Sequence, residues 1–276
     1  MESNNPVLRR AVETAATNRG GLYNEGRAAY DAATGAGKQD MADFERAYDS
    51  AAHGERTMQI PDVVAKTALS LVAVGVGAVV GWQSPAIGFV GMIVGLVLGL
   101  VNSFKRNVSP ALVIGYAVAE GLFLGAISSV FSAAYAEKAP NLVGQAVLGT
   151  IAAFAVMLAL YSNKIIRVNG TFQKIMMGSL IAYGLIGLAS FISSFFGVGQ
   201  GWGFYGVGQL GLLLCLAGVV LAAFTLALDF ELIAQGVAYG LPERESWRMA
   251  FGLTSSLVWL YVEILRFLAI FANNRD

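Results

Sequence analysis

Seven apolar runs, most of them about twenty residues or longer, dictate what this chain can fold into. They fall at roughly 63–82, 86–104, 110–135, 142–162, 175–197, 204–236 and 247–271. At about 1.5 Å of rise per residue such a run, as a helix, covers the roughly 30 Å hydrocarbon core of a bilayer. Open strands cannot do so, because their backbone groups would go unpaired in lipid. The expectation is an all-α integral membrane protein with seven transmembrane helices. Composition agrees: 56% of residues are hydrophobic and 13% charged, about half the charged share of a soluble domain. The zero net charge conceals a charged N-terminal segment and a nearly uncharged remainder, and it gives no sign of a nucleic-acid partner.

Lys and Arg orient the spans, because cytoplasmic connections carry the basic excess. Arg9, Arg10, Arg19, Arg27, Lys38, Arg46 and Arg56 precede the first span; Lys105 and Arg106 follow the second; Lys164, Arg167 and Lys174 follow the fourth; Arg244 and Arg248 follow the sixth. The alternate connections carry Lys138 alone or no basic residue, and the C-terminal end carries Arg275. The pattern places the N-terminus in the cytoplasm and the C-terminus outside a plasma (cell inner) membrane. The N-terminus lacks the apolar core of a cleavable signal, so the first span is expected to direct insertion. Three regions result: a cytoplasmic, largely flexible tail over 1–60, a seven-span domain over 61–271, and a short external end over 272–276. Within the tail, KQDMADFERAYDSAA sets Met41, Phe44, Tyr48 and Ala52 on one helical face, suited to lying on the membrane or docking on the bundle.

Little in the chain resembles a soluble catalytic site. Its one cysteine, Cys215, lies in an apolar run and its one histidine, His53, in the tail, so neither a disulfide nor a thiolate or imidazole metal cluster is expected. Nucleophile-elbow and metalloprotease motifs are absent from the sequence, and the chain reads as a non-enzyme without a cofactor. Gly77 and Gly81, and Gly91, Gly95 and Gly99, have the i, i+4 spacing that lets helix backbones approach closely. The cluster GVGQGWGFYGVGQLG lacks the Lys-Ser/Thr of a phosphate loop and reads as a tight external turn.

Charge inside the spans is the remaining anomaly. On the lenient insertion scale an ionisable residue at bilayer depth costs about 2.5 kcal/mol or more, so it is paired or it works. The positions are Glu120, Asp229, Glu231, Glu263 and Arg266. Lys66 sits one turn into the first span and is expected to snorkel to the headgroups, and Glu231 to be a solvated or snorkelling acid near the cytoplasmic end. Glu263 and Arg266, at i, i+3, can neutralise each other. Asp229 falls in the cytoplasmic half and Glu263 somewhat deeper, the two within about ten ångströms in depth, so lateral approach decides whether they meet. If they face each other across two helices they share a proton, because two carboxylates in one low-dielectric site cannot both ionise cheaply. When ionised they offer oxygens of the kind a hard divalent cation needs.

Seven spans, AEGLFLG in the third, LDFELIAQG closing the sixth and LYVEILRFL in the seventh resemble the Bax inhibitor-1 (transmembrane Bax inhibitor motif) family, in its bacterial branch, over about residues 60–271. The resemblance implies a central seventh helix wrapped by the other six, and a pH-sensitive calcium leak gated by a carboxylate dyad. The dyad's sixth-helix acid matches Asp229 and its seventh-helix acid falls at Glu263, a Glu where the family has Asp. The expectation is a pH-sensitive cation (calcium) leak channel with Asp229 and Glu263 as gate, proton sensor and transient calcium contact. Arg266 is the tuning counter-charge and Glu120 a polar residue of the pathway. Two alternatives stay open: a membrane regulator that restrains a partner such as a membrane-anchored protease, and a proton-coupled secondary transporter.

Overall fold

The computed structural model describes residues 56–105, 109–201, 203–206 and 208–273. The amphipathic segment expected at Lys38–Ala52, and the tail up to residue 55, lie outside them. Seven helices follow in order: α1 Ile60–Trp82, α2 Pro85–Phe104, α3 Pro110–Ala134, α4 Leu142–Ser162, α5 Gly170–Ser194, α6 Gly208–Ala238 and α7 Ser246–Asn273. Each of the seven spans is long and apolar enough to cross a bilayer, and no strand occurs among the described residues.

Local chemistry sets the helix starts. Proline stands at the first or second position of α1, α2 and α3, where its missing N–H costs nothing and its fixed φ suits the helix. The Asp62 carboxylate accepts the Gln59 amide at 2.9 Å and closes the first turn of α1. Asn169 caps α5 by accepting the Phe172 amide at 2.8 Å. That cap starts α5 five residues before the apolar run at 175. The glycine cluster folds as two short 3-10 turns, Val198–Gly201 and Gly203–Gly206, which delays α6 to Gly208. Gly203 has φ +64° and packs against the Ser190 carbonyl, so a side chain there meets both strain and a clash.

Packing follows the glycines. An added Cβ at Gly77 or Gly81 of α1 would strike the α3 backbone at Val118 or Leu122, and one at Gly121 or Gly125 of α3 would strike Val74 or Ala78. Gly91 of α2 lies against Ala119 and Leu122. The small residues thus work as close-approach positions. α7 carries the largest share of the core, with Leu253, Val258, Leu260, Tyr261, Ile264, Leu265 and Ala269 all buried. It packs on α1, α3, α4 and α6, while α2 rests chiefly on α3, and α5 on α6 and the 3-10 turns. The seventh helix is central, with α2 in an outer layer.

The end of the tail is pinned. Thr57 pairs with Pro242 in an antiparallel bridge, the Met58 amide donates to the Leu241 carbonyl at 2.6 Å, and the Glu243 amide donates to the Arg56 carbonyl at 2.8 Å. Met58, 1% exposed, seats against Gly236, Leu241 and Met249. Lys66 does not snorkel as expected. Its ammonium bonds the Glu243 carboxylate and, at 2.6 Å, Ser246 Oγ, and it lies 5.3 Å from the Trp247 ring centroid. A lysine one turn into α1 has an acid within reach because the α6–α7 hairpin folds back over it.

Candidate functional site

Trp259, Glu263 and Arg266 share one face of α7, and the site grows from that spacing. Glu263 Oε1 accepts three hydrogen bonds: from Trp259 Nε1 at 3.0 Å, from Tyr183 OH of α5 at 3.0 Å, and from Arg266 Nη2 at 3.3 Å. The Arg266 guanidinium lies 4.3 Å from the centroid of the Tyr205 ring, and Tyr205 OH donates to Tyr183 OH at 3.0 Å. Gly218 of α6 closes the far side, where any Cβ would collide with the Tyr183 hydroxyl and the Glu263 carboxyl. Glu263 is 2% exposed, and its Oε2 has no hydrogen-bonding partner. The pairing of Glu263 with Arg266 expected from spacing is present. Tyr183 and Tyr205 escaped sequence reading because nothing marks tyrosines eighty and fifty-eight positions upstream as neighbours; Trp259, four residues before Glu263, was within reach of it.

Asp229 occupies a different place. On α6 it meets the small-residue face of α7, where an added Cβ on Gly252 would stand 3.5 Å from its Oδ1 and where the Ser256 hydroxyl bonds it. Among the described residues its Oδ2 is enclosed without a partner and no basic group acts on it.

The two acids are therefore not brought together. α6 and α7 run antiparallel: Gly218 faces Glu263 and Gly252 faces Asp229. Counted along either helix the separation is eleven residues, about 16 Å of rise. The shared-proton dyad and the joint calcium contact expected of Asp229 and Glu263 are not formed. The reason is register: the chain turns through Leu241–Glu245 and enters α7 at Ser246, which sets Asp229 opposite the second turn and a half of α7 and leaves Glu263 three turns further on. Among the described residues no three acids, histidines or cysteines gather as a metal cluster.

The other acids are also accounted for. Glu120 bonds Tyr116, whose hydroxyl also bonds Ser255 of α7, so Ser255 and Ser256 carry polar contacts to α3 and α6 respectively. Glu231 is half-buried and held by neighbours. It accepts from Tyr161 of α4 and from Gln235, each at 2.9 Å.

A family model described as Bax inhibitor 1 like matches residues 5–273, nearly the whole chain. The chain belongs to the Bax inhibitor 1 like family. No curated protein is matched. The match begins well inside the segment that sequence reading set aside as lying beyond the resemblance, so the family's domain takes in the tail as well as the spans. For a Bax inhibitor 1 like chain with its tail end bonded to the α6–α7 hairpin this is physically coherent: the segment before α1 touches the same hairpin that presents Asp229 to α7. This Bax inhibitor 1 like protein is a multi-pass membrane protein, with seven membrane-length helices among its described residues.

Proposed function

We infer that this Bax inhibitor 1 like protein is a pH-sensitive cation leak pathway of the plasma membrane, with calcium as its ion and Asp229 as its proton sensor. The observation that supports the reading is the enclosed, unpartnered Oδ2 of Asp229 at the α6–α7 contact. Protonated, the carboxyl is neutral and needs only the Ser256 hydroxyl beside it. When the proton leaves, a charge remains at bilayer depth with no basic residue among the described ones acting on it, at a cost of about 2.5 kcal/mol or more. Parting α6 from α7 relieves that cost by admitting water or a hard cation, for which carboxylate and hydroxyl oxygens are suitable ligands. A gap of a few kcal/mol between closed and open states is enough for one proton to shift. Gating thus rests on Asp229 alone, and Glu263 with Arg266 becomes the fixed outer end of the same helix pair.

The orientation that fits has residue 56 and the α6–α7 hairpin in the cytoplasm and residue 273 outside. Basic residues crowd the first side, where Lys66, Arg56, Arg244 and Arg248 lie. One observation favours a second reading, a regulator that restrains a membrane partner: the pinned Arg56–Gln59 segment presents an ordered, charged surface on the cytoplasmic hairpin. Purified protein alone in calcium-free liposomes separates the two. A calcium flux above that of empty liposomes supports the leak, and no flux at any pH between 5 and 8 leaves the regulator.

A further inference from the structure

Between α5 and α7, beneath the 3-10 turns, lies a cavity of about 530 Å³, within the size range of small-ligand sites. It is independent of the Asp229 contact. Its polar end is the Glu263 and Arg266 pair with Tyr205 and Ser190, and its wall on α5 is Gly187 and Phe191.

Three features make it a built site. Arg266 gives one nitrogen, at a long 3.3 Å, to Glu263 and stacks on Tyr205, so among the described residues most of its five N–H donors are unspent and the guanidinium is held flat for a two-pronged oxyanion. Glu263 does not depend on Arg266 alone, because Tyr183 and Trp259 each bond it at 3.0 Å. The arginine is thus able to turn part of its fork to a ligand without stranding the acid. Finally, the cavity reaches lipid. Phe191 lines it and is 61% exposed, and inward along the same helix Leu188, Leu185 and Ile181 are exposed apolar residues. An occupant with an anionic head in the cavity and acyl chains along α5 matches both surfaces.

We propose that this cavity binds the phosphodiester headgroup of a bilayer phospholipid, with Arg266 as the phosphate ligand and the apolar face of α5 as the acyl-chain track. Gly187 gives a selective way to close it. An added Cβ at Gly187 meets nothing within 4 Å, so the root of a Gly187→Leu side chain is accommodated where it leaves the cavity wall, and replacing a glycine inside a helix favours the helix.

The test uses the purified full chain in detergent with phosphatidylglycerol, phosphatidylethanolamine, diacylglycerol and inorganic phosphate supplied in turn. Lipid occupancy is read by native mass spectrometry and all four by thermal shift. Both phospholipids are expected to bind and to raise Tm, while diacylglycerol and inorganic phosphate do neither. Gly187→Leu should lower phospholipid occupancy at least tenfold with lipid-free Tm no lower than the parent's, and Arg266→Gln should abolish the preference for phospholipid over diacylglycerol. Diacylglycerol binding as well as the phospholipids, or full phospholipid occupancy in Gly187→Leu, overturns the proposal. Inorganic phosphate acting as strongly as the lipids overturns the assignment to a lipid. None of these readouts involves ion flux, so the result stands apart from the leak reading.

Discussion

At Glu263 the carboxylate is met by Tyr183, Trp259 and Arg266, whereas at Asp229 one oxygen is enclosed and unmet. The first arrangement holds a charge in place; the second leaves one free to change. Removing one partner of a buried ion pair strands the other, at a cost of about 3 kcal/mol. Glu263→Gln and Arg266→Leu are each expected to lower the thermal stability of detergent-purified protein markedly. Because each substitution strands the partner that the other would remove, the double variant should lose less than the two losses added. Fully additive losses would show that the pair is not coupled. Sequence spacing gave the Arg266 partner because i, i+3 neighbours meet on any helix. It gave no hint of Tyr183, whose approach depends on how α5 lies across α6 and on the absence of a side chain at Gly218.

Among the elements, α1 and α3 are held by backbone approach, and two glycines one position apart on either side of Val76 separate that claim from a general glycine effect. Gly75 faces open space, while Gly77 abuts the Val118 carbonyl and Gly121. Gly75→Ala is expected to leave Tm unchanged or slightly raised, and Gly77→Ala to lower it by forcing the helices apart; equal effects from the two would contradict the packing described. At the other end of the bundle, Met58→Ala should destabilise by about 2 kcal/mol or more, since it empties a filled seat, with unfolding midpoints as the measure. The seven helices and the close-approach glycines were legible because apolar length and i, i+4 spacing are local. The register of α6 on α7 was not. It is set by the Leu241–Glu245 turn and by which small residues oppose which long ones, and a shift of eleven residues there decides whether Asp229 and Glu263 meet or stand about 16 Å apart.

For the whole molecule, seven crossings put the Thr57–Pro242 bridge at one end and the Lys138–Asn273 contact at the other. In a Cys215→Ala background, a cysteine at Gln200 should label from outside in intact cells and one at Lys105 only after the membrane is opened. Labelling of the Lys105 site in sealed cells contradicts the orientation. The pathway reading makes α6 and α7 a pair with one fixed end and one end that responds to protons, and its sign is definite: proton loss from Asp229 opens, so flux rises with pH. The direct measurement is calcium flux against pH in liposomes holding the parent chain, Asp229→Asn or Glu263→Gln. The account predicts a rise with pH in the parent, a flat profile in Asp229→Asn, and a parent-like midpoint in whatever Glu263→Gln protein folds. An unchanged pH profile in Asp229→Asn would contradict it.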